Sequence, residues 1–295
     1  MSYPIVTIPA DAREDMEQLG SKPKFWVLLD GKRWLSKEAR PDTGEDWAEK
    51  AAAEAAKAIG INAATVELAE YAGRRGSISL NFVDVQAGQA LVHGNEILAT
   101  SVSAYDRDKT FRQSDHTLQN IETAIRDLFP HDRADVALAE LAGYLVFDAL
   151  IGNTDRHHEN WGLLLHFLDE PPALVPSVAP SFDHASSLGR ELRDERRLEL
   201  LKAGRVPWYL GKARGGIFRI PEERHGENPL RLVQSAARAY PLLFAPALAR
   251  AAALAAADVH QIVESLPEIR TSQLAKRFAE AMILTVQASL VQILR

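Results

Sequence analysis

Apolar residues at helical spacing (Leu138, Leu141, Ala142, Leu145, Ala149) run into the polar loop Gly152-Asn153-Thr154-Asp155-Arg156-His157-His158-Glu159-Asn160. Two short apolar runs, 163–167 and 178–182, follow with Asp169-Glu170-Pro171-Pro172 between them, and Ser181-Phe182-Asp183 closes the series. Residues at i, i+3 and i+4 share a helix face, whereas short apolar runs bounded by Pro suit strands. The order helix, loop, strand, turn, strand, acid commits the middle of the chain to a mixed α+β arrangement. It places Asp155, Asn160 and Asp183 at the ends of apolar elements, where rigid scaffolds present functional side chains.

The N-terminal third has a different texture. Residues 24–37 read as a β-hairpin, with strands 25–29 and 33–37 around an Asp30-Gly31 turn of type I′. Thr43-Gly44-Glu45-Asp46 resembles a capping box, the Ala-rich run 47–59 continues as a helix, and Gly60 stops it. Strands are expected at 64–71 and 77–83, joined by Gly73-Arg74-Arg75-Gly76. This gives a compact α+β lobe over residues 1–85 and a mainly helical lobe over 86–295. Within the second lobe, 86–119 reads as irregular, 190–197 as a solvated charged helix, and Ala-rich 247–259 as a helix.

Composition removes several chemistries. The chain has no cysteine, so disulfides, zinc–thiolate sites and cysteine nucleophiles are excluded, in keeping with a reducing cytoplasm. A net charge of −6 argues against a surface that coats nucleic acid. No apolar run approaches the roughly 20 residues that span a bilayer, and residues 1–10 lack the features of a secretory leader. A soluble, cytoplasmic protein without membrane or direct nucleic-acid binding is the expectation.

Asp155 and Asn160 are five residues apart, the separation of the catalytic Asp and metal-binding Asn in protein-kinase catalytic loops. Phosphoryl transfer needs a carboxylate beside the acceptor hydroxyl and Mg²⁺ on the ATP phosphates. Asp155 suits the first task. Asn160 and Asp183 offer the oxygen ligands that Mg²⁺ prefers. Lys37, at the end of its strand, can reach α- and β-phosphates as a point charge. Its helix partner is expected to be Glu49, on the same face as Ala52, Ala53, Ala56 and Ile59; Glu54 points about 140° away and reads as solvated. The connector from Gly20 to Lys24 (Gly20, Ser21, Lys22, Pro23, Lys24) could cover phosphates with backbone N–H groups and basic side chains, a weak signal without any Gly-rich phosphate motif. In a rival reading Asp155, His157 and His158 hold zinc, but adjacent histidines diverge; His157 is expected to serve loop architecture and His158 to be exposed.

Together these stretches resemble the HipA-like kinases, a bacterial family related to eukaryotic protein kinases. The matches are Gly20-Ser21-Lys22-Pro23-Lys24-Phe25-Trp26, Trp34-Leu35-Ser36-Lys37, Gly44-Glu45-Asp46-Trp47-Ala48-Glu49-Lys50, residues 151–162 and Ser181-Phe182-Asp183. The resemblance implies an α+β, two-lobed protein-kinase-like fold with a small β-rich N-lobe and a larger helical C-lobe. It implies Ser/Thr protein kinase activity with ATP and Mg²⁺: Asp155 catalytic, Asn160 and Asp183 on the metal, Lys37 and Glu49 at the phosphates, Phe82-Val83 as an adenine-contacting hinge, and Ser21 as a regulatory position. It implies a protein substrate and, where the family acts as the toxin of a toxin–antitoxin system, a small antitoxin-type partner. With its start so close to the nucleotide loop, the chain is expected to lack the extra N-terminal subdomain of full-length toxins and to resemble the short stand-alone members. Small-molecule or lipid kinases on the same fold and a non-catalytic nucleotide-binding pseudokinase are the alternatives.

Overall fold

The computed structural model describes residues 2–17, 24–109, 111–170 and 172–294. In chain order the first strands are β1 (Ile5–Thr7), β2 (Arg13–Glu17), β3 (Lys24–Leu29) and β4 (Lys32–Glu38), followed by α1 (Glu45–Ala58), β5 (Val66–Tyr71) and β6 (Arg74–Leu80). The middle contains β7 (Gln89–His93), α2 (Gly94–Ser101), α3 (Leu118–Leu128), α4 (His131–Ile151), β8 (Gly162–Asp169) and β9 (Pro172–Val178). Helices complete it: α5 (Asp194–Lys202), α6 (Val206–Lys212), α7 (Pro229–Ala239), α8 (Pro241–Ala253), α9 (Ala256–Glu264) and α10 (Gln273–Ile293). The fold is thus α+β, with a sheet-rich N-terminal region and a mainly helical C-terminal part.

The chain divides into two compact units. One takes Met1–Phe82, Asp183–Leu210 and Leu254–Thr285; the other takes Val83–Phe182, Gly211–Ala253 and Val286–Arg295. In the first, six strands run in the order β1-β5-β6-β4-β3-β2. The β3–β4 hairpin turns at Asp30-Gly31, with φ of 49° and 71°, as its twist requires. Ile8, Phe25, Val27, Ala69 and Ile78 form a core on this sheet. α1 buries Ala48, Ala51, Ala52 and Ala55, whose small side chains let a helix lie close against strands. Buried Asp46 on α1 takes ion pairs from Arg75 and Arg270, tying the C-terminal segment of this unit to β6. Leu200, Val206, Phe278 and Met282 make a second core.

In the second unit β7, β8 and β9 form an antiparallel sheet beside α4, which also packs against α3, α7 and α8. α7 starts on a strong cap: Asn228 Oδ1 accepts from the amides of Leu230 and Arg231, and Pro229 takes the first turn. Asn228→Ala is expected to cost about 1 kcal/mol in urea unfolding; an unchanged midpoint would contradict this.

Several local expectations need correction. The capping box does not form: Thr43 Oγ1 donates to the Arg40 carbonyl, and Glu45 accepts from the Arg40 amide and pairs with Arg190. The β5–β6 turn is the tighter Ala72-Gly73, both at positive φ, so Arg74, Arg75 and Gly76 belong to the strand and Phe82-Val83 lie beyond its end. Residues 86–119 contain β7, α2 and the start of α3 rather than irregular chain. The second central strand is β9, earlier than 178–182, with Ala179 to Phe182 as an extension. Ala-rich 247–259 breaks between α8 and α9. The run 190–197 is not a solvated helix: α5 starts at Asp194, Arg197 is buried, and Arg190 is mostly covered by its pair with Glu45. Among the described residues no single helix is long and apolar enough to cross a membrane.

Candidate active site

Lys24 and Lys37 are direct cross-strand partners on β3 and β4. Like charges in that register repel. Asp183 offsets the repulsion: its Oδ2 lies 3.0 Å from Lys37 Nζ and 3.8 Å from Lys24 Nζ. Unit charges about 4 Å apart interact by about 4 kcal/mol at an effective dielectric of about 20. Asp183 is presented with φ of 60°, a left-handed backbone that Asp tolerates better than most residues. Gly76 sets the position of β4 from the other side, because a Cβ there would run into the Lys37 carbonyl.

Glu49 sits behind this node and is almost wholly buried. Its Oε1 accepts from the His184 amide at 2.9 Å and lies 3.7 Å from His184 Nδ1. Glu49 thus anchors the backbone that immediately follows Asp183. Burial raises its pKa, Lys37 opposes the rise, and Asp183 adds to it. Glu49 Oε2 is buried with no hydrogen-bond partner, an unmet demand for a donor. Glu54 is not simply solvated: it pairs with Lys50, a buried lysine that also holds Glu67 and the Val66 carbonyl.

The second unit presents the loop after α4. Gly152, at φ 66°, ends the helix with the left-handed cap that glycine allows. Arg156 then acts as a buried hub. Its Nε and Nη2 grip Asp148 at 2.7 and 2.8 Å; Nη2 also donates to Ser181 Oγ, and Nη1 donates to the carbonyls of Asn160 and Phe182. This fork fixes both ends of the loop and the residue preceding Asp183. Asp155 donates its amide to Asn153 Oδ1 and accepts at its carbonyl from Asn160 Nδ2, while its side chain is 52% exposed. The Asn160 amide nitrogen is thereby committed, and Oδ1 is its acceptor atom. An amide oxygen and a carboxylate oxygen are each hard donors of the kind Mg²⁺ prefers.

The histidines divide differently from expectation. His157 stays in loop architecture, its Nδ1 accepting from the Glu159 amide. His158 is buried rather than exposed, with Nδ1 2.8 Å from the Tyr105 hydroxyl. Burial pushes its pKa down to about 4. The two rings are 6.3 Å apart and edge-on, so they do not converge on one ion. Among the described residues no group of three His, Asp or Glu has the geometry to hold a metal.

His116 uses both ring nitrogens: Trp161 Nε1 donates to Nε2 at 3.0 Å, and Nδ1 lies 2.8 Å from the Gly216 carbonyl. Only the neutral ring satisfies both, and burial pushes its pKa down to about 3. An unfolded His titrates near about 6.5. Between those values the unfolded chain holds a proton that the folded chain lacks. The stability from neutral His116 is therefore present above about pH 6.5 and is lost as pH falls toward about 3. His116→Gln keeps one donor and one acceptor and is expected to flatten that decline in urea unfolding at stepped pH. Equal slopes in the two proteins would contradict it.

The structure brings Lys37, Glu49 and Asp183 together in the first unit and joins Asp155 to Asn160 in the second. Gly20, Ser21 and Lys22 lie outside the described residues. Sequence reasoning held Lys24 within the phosphate-covering stretch but not opposite Lys37, and it missed Arg156 and His116. Asp148 was the available signal: an acid amid the apolar residues of α4 demands a buried cation.

The sequence model of the HipA-like C-terminal domain matches residues 18–210. Among solved structures, the proinflammatory kinase CtkA of Helicobacter pylori superposes with a TM-score of 0.81 at 18% identity, over 99% of this chain and 97% of that one. HipA of Shewanella oneidensis MR-1, from a toxin–antitoxin complex with HipB and operator DNA, superposes with a TM-score of 0.60 at 11% identity, over 97% of this chain and 69% of that one. A search of curated proteins gave no match. At these identities the superpositions establish the fold alone. The matched stretch exceeds half of the 295 residues, and the chain belongs to the HipA-like C-terminal domain family.

Proposed function

We propose that this chain is an ATP- and Mg²⁺-dependent Ser/Thr protein kinase. The observation that carries the reading is the Asp183 carboxylate held by the ammonium groups of Lys37 and Lys24 in front of buried Glu49. Two lysines gathered on one acid make a site for phosphate oxygens once that acid turns to a cation. In this reading Lys37 exchanges Asp183 for the α- and β-phosphates. Asn160 Oδ1 and the Asp183 carboxylate would hold Mg²⁺, which when bound neutralises charge on the triphosphate. Asp155, exposed at its side chain and fixed at its backbone, orients the acceptor hydroxyl. The hydroxyl oxygen bonds to the γ-phosphorus, the bond to the β-phosphate oxygen breaks, ADP departs and the proton passes to Asp155.

Phe82-Val83 take the adenine-contacting role in this proposal, and Gly20, Ser21 and Lys22 a phosphate-covering one. A protein substrate and cytoplasmic action complete it. The Shewanella HipA was solved with HipB; by that parallel we propose a small antitoxin-type partner, to be recovered by co-purification from the native host.

The test is incubation of purified protein with γ-labelled ATP and a lysate, with and without Mg²⁺, followed by phosphoamino-acid analysis. Label on Ser or Thr that needs Mg²⁺ and vanishes in Lys37→Met supports the proposal. Label confined to metabolites would move the reading to a small-molecule kinase. Nucleotide binding without transfer would move it to a pseudokinase.

A further inference from the structure

The second unit contains a concavity that no step of the proposed chemistry uses. It is half open to solvent, with about 60 Å³ of room between α3, α4 and the start of α8. A cavity needs only roughly 10–15 Å³ by a comparable measure to hold one water, so this is more than a packing gap. Leu138, Leu141, Ala142 and Phe244 give it apolar walls.

The polar side chains around it are bonded to protein groups. Tyr144 turns its hydroxyl to Glu140 and the Ala179 carbonyl. Trp161 gives its indole N–H to His116. Arg156 spends its guanidinium on Asp148, Ser181 and backbone carbonyls. Glu122, an acid on the wall, is bonded too but keeps acceptor positions to spare. Its Oε2 accepts from the Tyr240 hydroxyl at 2.7 Å and its Oε1 from Arg126 Nε, and a carboxylate has about four acceptor positions. Arg126 is already shared with Asp135, so acceptors outnumber donors at this rim.

We infer that this pocket is a binding site for a small amphiphile with an alkyl or aryl tail and a hydrogen-bond-donating head, an amine or alcohol. The tail fills the apolar volume and the head meets Glu122. A carboxylate head faces Glu122 and is rejected. Arg156 and Trp161 both line the pocket and flank Asp155 and Asn160 in sequence, so occupancy is felt along the loop. The inference does not depend on phosphoryl transfer, because binding is measured without nucleotide.

The experiment titrates n-hexylamine, n-hexanol and hexanoate into ¹⁵N-labelled protein and follows the Trp161 indole N–H. Saturable shifts are expected with the amine and the alcohol, and affinity for hexanoate about tenfold or more weaker, a difference of about 1.4 kcal/mol. Leu145→Trp, at a half-buried wall position, is expected to weaken hexylamine by a similar factor. Glu122→Gln should leave the tail site intact and shrink the preference of amine over carboxylate. No saturable shift with any probe, equal binding of hexanoate, or an amine preference unchanged in Glu122→Gln would overturn the inference.

Discussion

Asp155→Asn is expected to lower the turnover number for phosphoryl transfer by about 10²–10⁴-fold, the usual worth of a positioned general base. The fold should survive the change. Asp155 is embedded through its amide and carbonyl, to Asn153 and Asn160, whereas its side chain stands half in solvent. The isosteric amide preserves shape and removes the negative charge proposed to take the hydroxyl proton. Affinity for ATP should be nearly unchanged, because the proposed mechanism has Asp155 act on the acceptor. Initial rates at saturating ATP, with a parallel nucleotide titration, measure both quantities. A variant that transfers phosphate at the wild-type rate would remove Asp155 from the mechanism.

Arg156→Leu is expected to destabilise the protein by about 3–5 kcal/mol, the cost of leaving a buried charge unpaired. Asp148 is 3% exposed and takes two charge-assisted bonds from Arg156. Its remaining support is the Asn153 side-chain amide. The same substitution frees the Asn160 and Phe182 carbonyls and the Ser181 hydroxyl, so the backbone at Asn160 and just before Asp183 loosens. At about 2–4 °C per kcal/mol, Tm should fall by about 10 °C. Arg156→Lys should not restore it, since one ammonium cannot reproduce a planar fork. The double variant Asp148→Leu/Arg156→Leu should be less destabilised than the sum of the single changes, because neither charge is then stranded. A Tm within a degree or two of wild type in Arg156→Leu would refute the hub.

Local features were the legible ones. The Asp30-Gly31 hairpin, the helix ended by Gly60 and α4 with its Gly152 cap depend on residues within a few positions of one another. The loop Asp155–Asn160 was legible for the same reason. What escaped was non-local. β1 is three residues long and exists as a strand through parallel pairing with β5, more than sixty positions away. Lys24 looked like part of a basic connector until the β3–β4 register set it opposite Lys37. The burial of His158 and the bond from Trp161 to His116 span 53 and 45 positions and leave no periodic trace. Glu49 was identified by its helix face, yet its bond to the His184 amide joins residues 135 positions apart.

The most direct test of the central claim is Mg²⁺-dependent transfer from γ-¹⁸O-labelled ATP, read by mass spectrometry of lysate proteins, for wild type beside Asp183→Ala. Asp183→Ala removes the carboxylate that gathers Lys37 and Lys24 and leaves Asp155 in place. The expected result is heavy phosphate on Ser or Thr side chains with the wild type and at least about a hundredfold less with the variant, the scale of a lost electrostatic contact in a transition state. Equal labelling by the two proteins, or none by either with intact nucleotide binding, would contradict the account.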